Sequence, residues 1–292
     1  MSNIFLQINL NNRLVDLSTP LVMGIVNVTP DSFYTGNRFA TDKSILQIVE
    51  KMLIDGAKII DIGGYSTRPL AEVISQDEEI RRVSQGIEVI LKKFPDIILS
   101  VDTFRSGVVR HVINNYGVAM INDISGGTLD DLMFETIADY QVAYVLMHMR
   151  GNPLSMQSYT QYEDIVSEVI HFLEKRLARL RLLGVNNVVI DPGFGFAKNL
   201  NQNYTLLGKL AYFKSLNVPI LAGVSRKSML SRMLGIDADD ALNATTAANM
   251  LALIGGASIL RVHDVKEAFQ AITIYNKYIE TKESEYSGIE KT

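Results

Sequence analysis

The residues able to do chemistry in this chain recur at one kind of position, the place where a short apolar run breaks off. The first such run ends in Asn27, then TPDSF. The next carries Asp61 and leads into GGYSTRP. Further along stand Asp102-Thr103, Asn122-Asp123, His148, Asp191 before PGFGF, Ser225-Arg226-Lys227, and Arg261 with His263. Singly, each reads as a cap or turn residue. Together they offer carboxylate acceptors, amides, and charge-assisted donors. That mixture suits a ligand with a donor-rich edge and an anionic end. The stretch PILAGVSRKS (219–228) poses the question most sharply, because an apolar run delivers two cations and two hydroxyls where it stops. Either the charge is merely solvated, or the run ends at an anion site.

Other chemistries find no support. There is no cysteine, which excludes disulfides and thiolate metal sites, and no serine in a nucleophile-elbow motif. No histidine pair has zinc-ligand spacing. His148 reads as structural, and His111 and His171 fall in helical patterns as surface residues. Glycines follow several runs (Gly63-Gly64, Gly126-Gly127, Gly193, Gly195), where tight turns or close backbone approach to a ligand are needed. None completes a dinucleotide fingerprint or a phosphate-binding P-loop.

Something must bring these run ends together. Eight strand-like runs are present: LVMGIVNV (21–28), KIIDIGG (58–64), IILSVD (97–102), AMINDIS (119–125), VAYVLMHM (142–149), NVVIDPG (187–193), PILAGVS (219–225) and ASILRVH (257–263). They are nearly continuous in apolar residues, as strands covered on both faces must be. Amphipathic stretches lie between them. DEEIRRVSQGIEVILKKF (77–94) puts Ile80, Val83, Ile87, Ile90 and Leu91 on one helical face, and a second helix over 162–184 stops at Gly184. Repeated strand–helix alternation predicts a parallel sheet, and eight repeats predict an α/β fold of the (β/α)8 TIM barrel type. A doubly wound open sheet is the alternative. Residues 1–20 read as a β-hairpin turning at Asn-Asn and covering one end of the barrel. A single barrel is expected over 21–280, with a flexible polar tail over 281–292.

The bulk composition is compatible with this. The chain has 292 residues, is 47% hydrophobic, and carries a net charge of −4. No broad basic face is implied, so nucleic acid is not an expected partner. There is no signal-peptide pattern at the N-terminus, and no apolar run long enough to span a bilayer. A cytoplasmic protein with no membrane partner is expected.

The motifs, taken together, resemble those of the dihydropteroate synthase family: NVTPDSF (27–33), GGYSTRP (63–69), VDTF (101–104), NDISGG (122–127), LMHMRGNP (146–153), DPGFGFAK (191–198), GVSRKS (223–228) and RVHDV (261–265), in the family's order. The resemblance implies a barrel enzyme of folate synthesis. It would join 6-hydroxymethyl-7,8-dihydropterin diphosphate to 4-aminobenzoate and release diphosphate, with magnesium (Mg2+) as cofactor. It implies that Asp191 accepts the guanidine-like edge of the pterin, with Asp102 and Asn122 on the remaining ring groups and Lys227 on the carbonyl. Ile124, Met147, Phe196 and Gly223 complete that pocket. Asn27, Arg68, Arg261 and His263 fall at the diphosphate positions, Asn27 also offering an oxygen to the metal. Phe33, Thr67, Pro69, Phe196 and Ser228 fall to 4-aminobenzoate, and Asp31 to ordering the closed loops. Arg226 has no role in this scheme beyond a solvated or structural cation. Catalysis would come from orientation and leaving-group stabilisation, with diphosphate departing before the aniline nitrogen attacks.

Two positions depart from the family's usual pattern: Leu70 stands where glycine is common after STRP, and YTGNRF replaces an acidic, glycine-rich version of the first loop. Both bear on 4-aminobenzoate affinity and sulfonamide sensitivity, and neither touches the pterin set. The family is homodimeric through barrel helices, so a homodimer is expected. Two rivals share the pterin residues: a cobalamin-type pterin methyltransferase barrel, and a non-catalytic pterin-binding barrel.

Overall fold

The computed structural model describes the backbone of residues 6–28, 38–65 and 73–289, and the side chains of 6–28, 42–65 and 73–282. The elements in chain order are β1 (Gln7–Leu10), β2 (Arg13–Asp16), β3 (Leu21–Asn27), α1 (Arg38–Ile54), β4 (Ile59–Gly63), α2 (Gln76–Lys93), β5 (Ile98–Asp102), α3 (Ser106–Tyr116), β6 (Met120–Asp123), α4 (Met133–Tyr140) and β7 (Ala143–Met147). They continue with α5 (Ile165–Leu182), β8 (Val188–Asp191), α6 (Leu200–Gly208), β9 (Leu221–Ala222), α7 (Ser228–Leu234), α8 (Leu242–Gly255), β10 (Ile259–Val262) and α9 (Val265–Ile289).

Eight strands form one parallel sheet in the order β8-β7-β6-β5-β4-β3-β10-β9. A parallel bridge from Ile190 to Ile220 joins the two ends of that order and closes the ring. The architecture is the (β/α)8 barrel that the alternation predicts, and every barrel strand falls inside one of the eight apolar runs. The open-sheet alternative fails on this closure.

Side chains on a strand alternate between faces, so the barrel has two cores. Residues such as Val22, Ile60, Ile62, Val101, Ile121, Leu146, Ile190, Ala222 and Leu260 point outward into the helix layer. There they meet the apolar stripes of the helices, for example Val83, Ile87 and Ile90 of α2, all fully buried. That helix starts where Ser75 accepts a hydrogen bond from the Glu78 N–H, an N-cap. Met23, Ile59, Ile98, Met120, Ala143, Val189, Leu221 and Ile259 point inward and form an apolar floor.

The hairpin β1–β2 seals that floor from below. Asn11 and Asn12 both have positive φ (51° and 61°), the turn geometry that matches strand twist. Ile8, Leu10 and Leu17 then pack into the inward cluster. Asn187 pins the hairpin edge, accepting from the Asn9 N–H at 2.9 Å and donating to the Asn9 carbonyl at 2.7 Å. The period-2 alternation has a consequence at the other end. Positions two and four residues beyond the floor face the same interior, and these include Asp61, Ser100, Asn122, Asp191, Gly223 and Arg261, then Asn27, Gly63, Asp102, Met147, Ser225 and His263.

Candidate active site

The inward residues above the floor form a polar layer at the C-terminal mouth. Strand register lines them up: Asn27 lies opposite Gly63, Gly63 opposite Asp102, and Asp102 opposite Asn122. Met147 lies opposite Asp191. Arg261 reaches across this row. Its Nε donates to Asp61 Oδ2 at 2.6 Å and its Nη2 to Asp102 Oδ2 at 2.8 Å. Asn122 Nδ2 donates to the same Asp61 oxygen at 2.9 Å. Four strands are thereby tied through Asp61, which is fully buried. Burial works against the Arg261 charge, and the Asp61 and Asp102 carboxylates outweigh it, raising its pKa. Burial pushes the Asp102 carboxyl up to about 7, although Arg261 opposes the shift. Asp61 stands at a strand end in the sequence, but its pivotal position follows from the register that sets three other strands around it.

Asp191 sits across the mouth. Its Oδ1 accepts from the Gly193 N–H at 2.7 Å. Burial raises its pKa, with Lys227 the largest opposing influence. A Cβ on Gly223 would stand 3.8 Å from Asp191 Oδ2, so the glycine leaves the carboxylate uncovered. Lys227 donates to the Phe194 carbonyl, and its Nζ lies 4.4 Å from the centre of the Phe196 ring. Burial lowers its pKa to about 8 against the pull of Asp191. Ile124 and Met147 cluster with Met149, Met156 and Ala197, and Phe104 and Phe196 pack against them, making an apolar wall beside the carboxylates.

The loop carrying Asp191 is held by a lysine to which sequence reasoning assigned no role. Lys198 is buried, and its Nζ lies 3.0 Å from His148 Nδ1 and 2.9 Å from the carbonyls of both Gly193 and Phe196. His148 is buried behind the mouth, its pKa held well down by burial and then by Lys198. The signal for Lys198 was in the sequence, as the last residue of DPGFGFAK, but nothing there showed that its amine would be enclosed, with burial holding its pKa well down.

The remaining candidates divide. His263 lies beside Ser225, Nδ1 to Oγ 3.0 Å. Ser228 opens α7 at an exposed position. Asn27 ends β3, its Oδ1 3.3 Å from where a Gly63 Cβ would stand. Arg226 is structural: at a positive φ of 51° it forks onto Asp264 at 2.9 and 2.8 Å and caps the Ala238 and Asp239 carbonyls. His111 packs by its Nε2 against Ser84 at 3.0 Å, and His171 is exposed. Asp31, Phe33, Thr67, Arg68 and Pro69 lie outside the described residues.

Among the described residues no three carboxylates or histidines are grouped as a metal cage. Magnesium keeps several waters and is often held by few protein oxygens plus substrate phosphates. Asn27, with an amide oxygen in space that Gly63 leaves open, fits as such a protein oxygen.

Known proteins resemble the chain throughout. The family model described as "Pterin binding enzyme" matches residues 23–263. Dihydropteroate synthase from Escherichia coli K12 is 40% identical over 275 residues, covering 92% of this chain and 95% of that protein. The Haemophilus influenzae enzyme of the same name is 41% identical over 268 residues, covering 91% and 96%. The crystal structure of Yersinia pestis dihydropteroate synthase with a sulfonamide drug superposes with a TM-score of 0.86 at 37% identity, covering 94% of this chain and 99% of that one. Xanthomonas albilineans dihydropteroate synthase with 4-aminobenzoic acid gives 0.85 at 36%, covering 93% and 97%. A closed barrel, a polar layer at its mouth, and identity of this extent lead to one assignment: the chain belongs to the dihydropteroate synthase family of pterin-binding enzymes.

Proposed function

We propose that the mouth of this barrel condenses 6-hydroxymethyl-7,8-dihydropterin diphosphate with 4-aminobenzoate, giving 7,8-dihydropteroate and diphosphate. The observation that carries the reading is the polar layer, in which acceptors (Asp102, Asn122, Asp191) and cations (Lys227, Arg261) face one space above an apolar floor. Asp191 takes the guanidine-like edge of the pterin. Its Oδ1 already accepts from Gly193, and each carboxylate oxygen has two lone pairs, so both oxygens can still accept. Asn122 spends one amide hydrogen on Asp61 and keeps its carbonyl oxygen for a ring N–H. Asp102 serves the ring beside it. Lys227 has donors left over from Phe194 for the pterin carbonyl. Ile124, Met147 and Gly223 shape the space around the ring.

The leaving group is the task of Arg261, His263 and Arg68. Arg261 has five N–H donors and commits two to carboxylates, so three remain for phosphate oxygens. Those carboxylates also fix its orientation before substrate arrives, which is the preorganisation that electrostatic catalysis requires. Asn27 would hold magnesium on the diphosphate, and the bound ion would neutralise the charge that develops as diphosphate leaves. The methylene C–O bond breaks with its electron pair leaving on diphosphate; the aniline nitrogen then forms the C–N bond and gives up one proton to solvent. No covalent enzyme intermediate is needed.

The second substrate stacks along Phe196, with its carboxylate at Ser228 where α7 begins; Phe33, Thr67 and Pro69 complete its pocket, and Asp31 orders the loops over it. The 4-aminobenzoic acid held by the X. albilineans enzyme supports this choice of substrate. The reading extends to a cytoplasmic homodimer. Leu251 and Ile254 of α8, 53% and 56% exposed, supply apolar surface for a subunit contact. Sedimentation of the purified chain tests that point.

The deciding experiment measures diphosphate release from the pterin diphosphate with magnesium, with and without 4-aminobenzoate. Release that depends on 4-aminobenzoate and yields dihydropteroate establishes the reaction. Tight pterin binding without release would refute it.

A further inference from the structure

We propose that Ser225 selects the tautomer of His263, making its Nε2 the protonated nitrogen and so a hydrogen-bond donor toward the diphosphate. The proposal rests on the reading of His263 as a diphosphate contact and adds a positioning residue to it. The register that pairs Ile259 with Leu221 and Leu260 with Ala222, continued toward the mouth, brings His263 beside Ser225. The contact is double. The His263 backbone N–H donates to Ser225 Oγ at 3.1 Å, and the same Oγ lies 3.0 Å from His263 Nδ1.

A serine hydroxyl has one proton and two acceptor lone pairs. Here the backbone N–H occupies one lone pair. Ser225 is only 5% exposed, and among the described residues its hydroxyl touches no acceptor other than Nδ1. If Nδ1 carried the proton, Ser225 would accept twice and its own proton would be buried without a partner, which is costly. The hydroxyl proton therefore goes to Nδ1. A neutral imidazole that accepts at Nδ1 carries its proton at Nε2. The chemical difference is one of sign. An Nε2–H attracts a phosphate oxygen, whereas the other tautomer would present a lone pair to it.

Nitrogen-15 NMR of the ligand-free protein reads the tautomer directly. The chain has four histidines, and His263→Gln assigns the signal that disappears. The expected spectrum shows the Nε2–H form in the parent, a mixed or Nδ1–H form in Ser225→Ala, and the parent form again in Ser225→Thr. In turnover, Ser225→Ala should lower kcat on the order of tenfold, the scale of one lost hydrogen bond to a charged group. The KM for 4-aminobenzoate should stay, and Ser225→Thr should restore the rate. An Nδ1–H signal in the parent, or an unchanged tautomer in Ser225→Ala, overturns the proposal. A His263→Gln variant releasing diphosphate at the parent rate would overturn the diphosphate reading and the catalytic half with it, while the spectra still decide what Ser225 does.

Discussion

At the scale of single residues, Asp191 sets binding against stability. A buried carboxylate suits a guanidine-like partner, yet burial raises its pKa while the pocket is without ligand. Asp102 shares the condition, with a folded-state pKa of about 7 against an ordinary 3.8. A carboxyl whose pKa is raised on folding stabilises the fold when protonated, and that stability is lost as pH rises through the folded value. Between roughly pH 4 and 7 the ligand-free protein should therefore lose stability as Asp102 ionises, and Asp191 acts in the same direction. Asp191→Asn should melt higher than the parent at pH 8 and bind pterin roughly 10- to 150-fold more weakly, the equivalent of one charge-assisted hydrogen bond. Calorimetry with a pterin, beside thermal melts, checks both. A variant that melts lower and binds normally would show Asp191 to be a turn cap for Gly193. Lys227 supplies a second pH limb. Its ammonium is lost as pH rises through about 8, so pterin affinity should fall between pH 7 and 9. Lys227→Arg, always charged, should bind with no such limb.

The element that matters most is the turn after β8, because it serves two strands. It holds Asp191 through the Gly193 N–H and Lys227 through the Phe194 carbonyl. Its shape depends on Gly193, at φ +75°, where a Cβ would meet the His148 carbonyl oxygen at 2.0 Å. Gly193→Ala should cost at least about 1–2 kcal/mol from the backbone conformation alone. Pterin affinity should fall with it, because relieving the clash moves Asp191. Lys198 is the clamp inside the turn, joining it to His148 on the β7 side. Lys198→Met should raise the Kd for pterin by up to about tenfold, one hydrogen bond's worth of positioning, with the KM for 4-aminobenzoate unchanged. An equal loss for both substrates would mean general disorder of the mouth. Arg105 plays a comparable part on the other side. It pairs with buried Glu79 at 2.8 Å, donates to the Ile74 carbonyl at 2.8 Å, and lies over the Tyr65 ring at 5.4 Å, tying residues on both sides of 66–72 to one guanidinium.

At the scale of the whole molecule, the barrel separates stability from chemistry along its axis. The floor and hairpin are apolar, and the mouth is polar and under electrostatic conflict. Leu10 is fully buried in the floor. Leu10→Ala should cost roughly 2–5 kcal/mol by transfer and cavity terms. The kcat of the folded fraction should not change, because among the described residues no polar side chain of the mouth is hydrogen-bonded to the hairpin. Denaturant melts and kcat corrected for folded protein check this together; a large fall in corrected kcat would show that the two ends are coupled.

The sequence by itself determined the alternation of strands and helices, the hairpin, the placement of polar residues where strands end, and the family. Those features are local, or repeat along the chain, so spacing and residue type carry them. Asp191, Asp102, Asn122 and Lys227 were legible because each closes an apolar run in a distinctive motif. Only the tertiary structure decided what those residues do to one another. Asp61 becomes a pivot because β10, β5 and β6 bring Arg261, Asp102 and Asn122 around it. Lys198 is enclosed by three acceptors from the β7 end and its own loop, and Arg226 is absorbed by Asp264. Ser225 meets His263 across a separation of 38 residues. Contacts of that kind depend on ring closure and register, which bring distant residues within hydrogen-bond reach and leave no mark on local spacing.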